Sequence, residues 1–180
     1  MIDLNLYFDP VCIDKPEITL ITGTGGFPHN ITVNSGNEPL GDLRGYSVAL
    51  IGVPDDRSSV NSGASFAPDA IRKNLYSFSR LPGKMKIIDL GNFKPGNSFG
   101  DTIAGLKDVL SYLLEKDIVP LILGGTSALI PAIDRSMSVM KNSWSLMSVD
   151  SRIDFTADKR PADSHNWIND LIYRSASRMS

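Results

Sequence analysis

Ser47-Val48-Ala49-Leu50-Ile51-Gly52-Val53, closed by Pro54, is the stretch that decides the fold. It is short, continuously apolar and rich in β-branched residues. A run that does not alternate with polar residues suits a strand covered on both faces, as in parallel sheets. Working outward, Pro68 stands at a first helical position and predicts a helix to about Ser79. Lys86-Ile87-Ile88-Asp89-Leu90-Gly91 reads as a second strand. Asp101 is expected to cap a helix whose apolar positions Ile103, Leu106, Val109, Leu110, Leu113 and Leu114 recur at helical spacing. Ile118 to Leu123 gives a third strand, ended by Gly124-Gly125, and a helix is expected from Ser127 to about Met140. Trp144 to Val149 reads as a fourth strand and Ser164 to about Ser175 as a last helix.

Strands alternating with helices at this spacing imply right-handed, parallel βαβ units. The expected fold class is therefore α/β, a three-layer αβα arrangement around a mainly parallel sheet. Residues 1–45, rich in Gly, Pro, Asn and Thr, read as a decorating segment, and residues 46–180 as the α/β domain. Within the first segment, Thr19 to Thr22 is expected as a short strand and Gly23 to Gly26 as a turn. No helix pattern follows those glycines, which argues against a phosphate-binding loop.

The whole chain sets bounds on this reading. Its 180 residues suffice for one domain with a substantial core. A net charge of −2 gives no electrostatic footprint for nucleic acid or an anionic membrane, so neither is expected as a partner. The single cysteine, Cys12, excludes an internal disulfide and a multi-cysteine zinc site. The opening residues lack the basic and continuously apolar regions of a signal peptide, so a cytoplasmic location is expected.

Ligands of open parallel sheets bind outside the carboxyl ends of the strands. Three loops qualify. The first, Pro54 to Pro68, carries Asp55, Asp56 and Arg57, which could position a polar substrate or pair with one another as a surface cluster. The second, Gly124-Gly125-Thr126-Ser127, is either a backbone approach to a ligand or a tight packing turn. In the third, Asp150 and Asp154 could chelate a cation, with Arg152 between them. A guanidinium is always protonated and cannot ligate a metal, so an Asp150–Arg152–Asp154 ion cluster is the more economical reading.

These loops resemble the arginase–agmatinase–formimidoylglutamase (ureohydrolase) family. Gly52-Val53-Pro54 and Gly63-Ala64-Ser65-Phe66-Ala67-Pro68-Asp69-Ala70-Ile71-Arg72 match its Gly-Val-Pro and Gly-Ala-X-Phe-X-Pro-X-X-Ile-Arg motifs. Its Gly-Gly-Asp-His and Asp-Ala-His-X-Asp motifs follow in order but altered. The resemblance spans about residues 46 to 170 and implies the amino-terminal part of an arginase-like domain. Leu4 to Pro10 also resembles a divergent bacterial branch of the family.

In active relatives the two altered motifs supply histidine and aspartate ligands to a pair of manganese ions. Here Thr126 and Ser127 replace the Asp-His pair, and Arg152 stands in place of the second histidine between Asp150 and Asp154. The chain's two histidines, His29 and His165, lie outside the motifs and read as surface residues. The resemblance thus implies a vestigial metal site with no catalytic residue and no cofactor, in a binding or regulatory module. The alternative is part of a hydrolase of linear amidine C–N bonds, completed by a missing C-terminal region. Later strands of the family lie between the third and fourth strands read here, so exposed strand edges are expected. Those edges imply a homo-oligomer or a missing C-terminal part, with a small molecule as the ligand. A Rossmann-type nucleotide binder is disfavoured, because no Gly-X-Gly-X-X-Gly follows the first strand.

Overall fold

The computed structural model describes residues 2–12, 31–59, 62–78, 85–137, 144–151, 153–156 and 163–178. The expectations for Thr19 to Thr22, Gly23 to Gly26, His29 and Arg152 fall outside the described residues.

The central apolar run forms β3 (Val48–Gly52), flanked by β4 (Ile87–Phe93) and β5 (Val119–Leu123), both parallel to it. Two short strands from the first segment line the outer side of β4. β1 (Phe8–Asp9) pairs antiparallel with its carboxyl end, and β2 (Ile31–Val33) pairs parallel with its start. The order along the sheet is β1-β4-β3-β5, with β2 also on β4. The first segment thus contributes strands to the sheet, and Leu4, Phe8 and Leu43 to the core.

Helices cover both faces, as the alternating pattern requires. α2 (Phe99–Leu114) and α3 (Ile130–Ser136) bury Ile103, Leu106, Val109, Leu110, Leu113 and Ala132 against Ala49, Ile51, Ile88 and Leu90. α1 (Ala67–Leu75) covers the opposite face, where Leu50, Tyr76 and Ile87 form a smaller core. α4 (Trp167–Arg178) follows the third candidate loop. Pro68 lies in the first turn of α1, as its missing N–H favours. The cap of α2 is Ser98 rather than Asp101. The Ser98 hydroxyl accepts from the Asp101 amide, and the Asp101 carboxylate receives the Ser98 N–H, a reciprocal capping box.

On the α1 face a wholly buried ion pair ties helix to sheet. Arg72 Nε donates to Asp89 Oδ2 at 2.8 Å and Nη2 to Oδ1 at 2.9 Å. The Tyr76 hydroxyl and the Gly91 amide also donate to Asp89, and the Gly91 carbonyl accepts from Arg72. Such saturation is what makes a buried charge pair tolerable. Burial, together with the Asp89 charge, pushes the Tyr76 phenol far above its ordinary range.

One expected element is absent. Trp144 to Val149 forms no strand; it is irregular chain with Leu146, Met147 and Val149 exposed. A strand exists only by pairing, and no described strand lies beside this segment to complete a ladder. No described helix is long and apolar enough to cross a membrane.

Candidate functional site

β3 ends at Gly52, and the chain enters the first candidate loop. Asp55 is buried there, and Arg57 folds back on it: Nε donates to Oδ1 at 3.0 Å and Nη2 to Oδ2 at 2.6 Å. The rest of the guanidinium reaches across to the β4–α2 connection, donating to the Gly96 and Asn97 carbonyls and to the Thr102 hydroxyl. Burial by itself would raise the Asp55 carboxyl, but the Arg57 side chain and amide outweigh it and hold the group below the usual carboxylate range. Asp56 closes the loop on itself. Its Oδ2 receives the Gly63 amide at 2.9 Å and the Ser65 hydroxyl at 3.0 Å, contacts that hold its carboxyl low as well. These three residues brace the loop, while Ser59 and Ala64 from the same loop reach the cavity described below.

β5 ends in Gly124 and Gly125, both at positive φ, +69° and +80°. A Cβ on Gly124 would stand 2.7 Å from Pro68 Cδ, so glycine here lets the turn close against the start of α1. Thr126 caps the short 3-10 turn Ser127–Leu129 that leads into α3, its hydroxyl accepting from the Ala128 amide at 3.2 Å. The Ser127 hydroxyl donates to the Ser164 carbonyl at 3.2 Å.

The third loop comes to the same place. Asp150 is exposed and its carboxylate receives the Ser151 hydroxyl. Asp154 is buried, and its Oδ2 accepts from the Trp167 indole N–H at 2.8 Å. The Ser164 amide donates to the Ser58 carbonyl at 3.0 Å, which ties the segment before α4 to the first loop. His165 is half-buried; its amide bonds the Asp163 carboxylate and its ring Nδ1 lies 3.2 Å from the Ser164 hydroxyl.

Ser59, Ala64, Gly125, Thr126, Ser127, Asp150, Ser151, Asp154 and Ser164 line one cavity of about 370 Å³. Of the sequence candidates, Thr126, Ser127, Asp150 and Asp154 converge on it; Asp55, Asp56 and Arg57 do not line it. The Asp150–Arg152–Asp154 cluster depends on Arg152, outside the described residues. Ser59 and Ser151 fall inside the first and third candidate loops, and Ser164 and Trp167 inside the last expected helix, but sequence reasoning singled out none of the four. The arrangement offers two carboxylates and several hydroxyls to a polar or cationic ligand, on backbone held by turns and braces. Among the described residues, no group of three or more His, Cys, Asp or Glu side chains is placed to hold a metal ion.

The sequence profile of the arginase family matches residues 46–168. Formimidoylglutamase of Salmonella paratyphi C (strain RKS4594) is 35% identical over 83 residues, which cover 43% of this chain and 26% of that protein. Among solved structures, formimidoylglutamase from Bacillus subtilis subsp. subtilis str. 168 superposes with a TM-score of 0.67 at 23% identity, covering 84% of this chain and 49% of that one. Trypanosoma cruzi formiminoglutamase with Mn2+2 superposes with a TM-score of 0.64 at 18% identity, over 71% of this chain and 48% of that one. The chain thus spans about a quarter of its curated relative and about half of these solved structures. The Trypanosoma cruzi neighbour holds manganese on this fold, which corrects the expectation of no cofactor.

Proposed function

Because the chain belongs to the arginase family, we propose that it forms the amino-terminal portion of a hydrolase of linear amidine C–N bonds. In this reading it supplies one wall of the substrate cleft, and alone it binds the cationic substrate without hydrolysing it. The observation that carries the proposal is the convergence of three loops, two of them at the carboxyl ends of β3 and β5, on one polar cavity containing Asp150 and Asp154. An amidinium or guanidinium group is planar and cationic, and it pairs with carboxylates through parallel, charge-assisted N–H···O bonds. Asp150, exposed at the cavity wall, is the better placed of the two to receive it. The Thr126, Ser127 and Ser151 hydroxyls add acceptors for the remaining N–H groups.

Manganese fits this lining in donor type but not in number. Carboxylate and hydroxyl oxygens suit a hard divalent ion. Yet Asp154 is held by Trp167, the Thr126 hydroxyl serves a helix cap, and no third carboxylate or imidazole joins them among the described residues. The described residues do not form a manganese pair by themselves. A metal supplied with the rest of the fold would furnish the hydroxide for hydrolysis; the residues present bind and orient.

Calorimetry and an assay for the released amide on the purified chain test the proposal together. N-formimidoyl-L-glutamate or agmatine is expected to bind in the millimolar range or tighter without releasing formamide or urea, and Asp150→Asn to weaken binding about tenfold, roughly 1.4 kcal/mol. Undetectable binding, or formamide or urea release by the chain alone, would contradict it.

A further inference from the structure

A second cavity lies at the other end of the sheet from the cleft. β3 and β5 run parallel, and the cleft collects residues that follow them. The second cavity collects chain that precedes them: Leu40 to Asp42 ahead of β3, and Lys116 between α2 and β5. The five residues of β5 alone span about 16 Å, so no ligand of amino-acid size touches both cavities.

This cavity has a volume of about 440 Å³, within the range of small-molecule sites. Ile2, Leu4 and Leu40 give it an apolar wall, and all three pack against the main core, which fixes the wall in place. Gly41 leaves it wide, because a Cβ there would meet nothing within 4 Å. Three charged residues also line it, and their partners decide what it can hold. Asp42 is already neutralised: its carboxylate receives both the amide and Nε of Arg44. Lys116 is not. Among the described residues no carboxylate comes within ion-pair distance of its ammonium, which rests over the Tyr112 ring, 4.9 Å from the centroid. A cation seated on an aromatic face keeps N–H donors on its outer side for an anion. Asp3 accepts from the Asn5 amide and from Asn5 Nδ2, both through Oδ1, and Oδ2 receives no donor among the described residues.

We propose that this cavity binds a zwitterionic α-amino acid with an aliphatic side chain. The ligand's carboxylate accepts from Lys116, its ammonium donates to Asp3 Oδ2, and its side chain lies on Ile2, Leu4 and Leu40. A plain carboxylic acid meets the uncompensated charge of Asp3, and a plain amine that of Lys116. Only the zwitterion matches both, and this repulsion of the half-matched ligands is what makes the site selective. No cleft residue takes part, so either site can fail without the other.

Calorimetry and a backbone-amide NMR titration of the purified chain with L-leucine are the test. L-Leucine is expected to bind in the millimolar range or tighter. It should shift the amides of Ile2 to Leu4, Leu40 to Asp42, Tyr112 and Lys116 and leave those of the cleft loops in place. 4-Methylpentanoate lacks the amine and 3-methylbutylamine lacks the carboxylate; each should bind at least tenfold more weakly. Lys116→Met keeps the stem and removes the charge, Asp3→Asn keeps an acceptor for Asn5, and Gly41→Leu fills the cavity. All three are expected to weaken leucine binding at least tenfold with little change in urea midpoint. Undetectable leucine binding, shifts at the cleft loops instead, either analogue binding as tightly as leucine, or full affinity in Gly41→Leu would overturn the proposal.

Discussion

Arg57 and Arg72 show how single cations hold the cleft in place. Arg72 sits in a closed set of partners on the α1 face, so Arg72→Ala strands Asp89 in the interior. The expected cost is about 3–5 kcal/mol, read as a lowered urea midpoint. Gly124→Ala forces a side chain into positive φ and against Pro68; a loss of about 1–3 kcal/mol is expected by the same assay. Asp55 contributes to the pH dependence alongside other lowered carboxyls such as Asp56. The folded Asp55 carboxyl is held below its unfolded value, so its contribution is present above the unfolded range and lost as pH falls through the folded value. Asp55→Asn should therefore flatten the acid limb of the stability curve below about pH 4, leaving the slope near neutrality unchanged. The Asp55–Arg57 pair was one of two readings of the first loop, but the rest of the bracing could not be read beforehand. Arg57 meets Gly96, Asn97 and Thr102 across a long sequence separation, and only the folded sheet brings the β3 and β4 ends together.

At the scale of elements, α2 depends on its reciprocal cap, and Ser98→Ala is expected to lower stability by about 1 kcal/mol, measured by thermal melting. The contact between α4 and the third loop rests on one buried hydrogen bond. Trp167→Phe keeps the ring volume but leaves Asp154 Oδ2 without its indole donor, and a loss of about 1–3 kcal/mol should follow in urea unfolding. Elements were legible where a local pattern sufficed. β3 and β5 are uninterrupted apolar runs, β4 is an apolar run broken by Asp89 and Asn92, and α2 shows its helical stripe over four turns; all four lie within a few residues of their expected limits. β1 and β2 are too short to carry a period, and they exist because β4 offers them an edge. The converse holds for Trp144 to Val149, whose residues favour a strand but find no described partner. The capping residue was misplaced because both Ser98 and Asp101 are good caps, and the box geometry assigns them different roles.

On the scale of the whole molecule, α1 on one face, α2 and α3 on the other and a mainly parallel sheet between them reproduce the αβα arrangement expected from the sequence and found in the solved relatives. Thr126 and Ser127 were legible because strand ends are where such sheets bind ligands, and Asp150 and Asp154 because they keep the carboxylates of an altered motif. Which of them face the cavity, and which spend their hydroxyl or carboxylate on a cap or an indole, was not. That depends on α4 packing back over the loops. The account turns on the cavity between the three loops being a binding site for a cationic amidine. Its most direct test is a backbone-amide NMR titration of the chain with agmatine. Progressive shifts confined to Ser59, Ala64, Gly125 to Ser127, Asp150 to Asp154 and Ser164 are the expected result; no shifts, or shifts elsewhere in the chain, would contradict it.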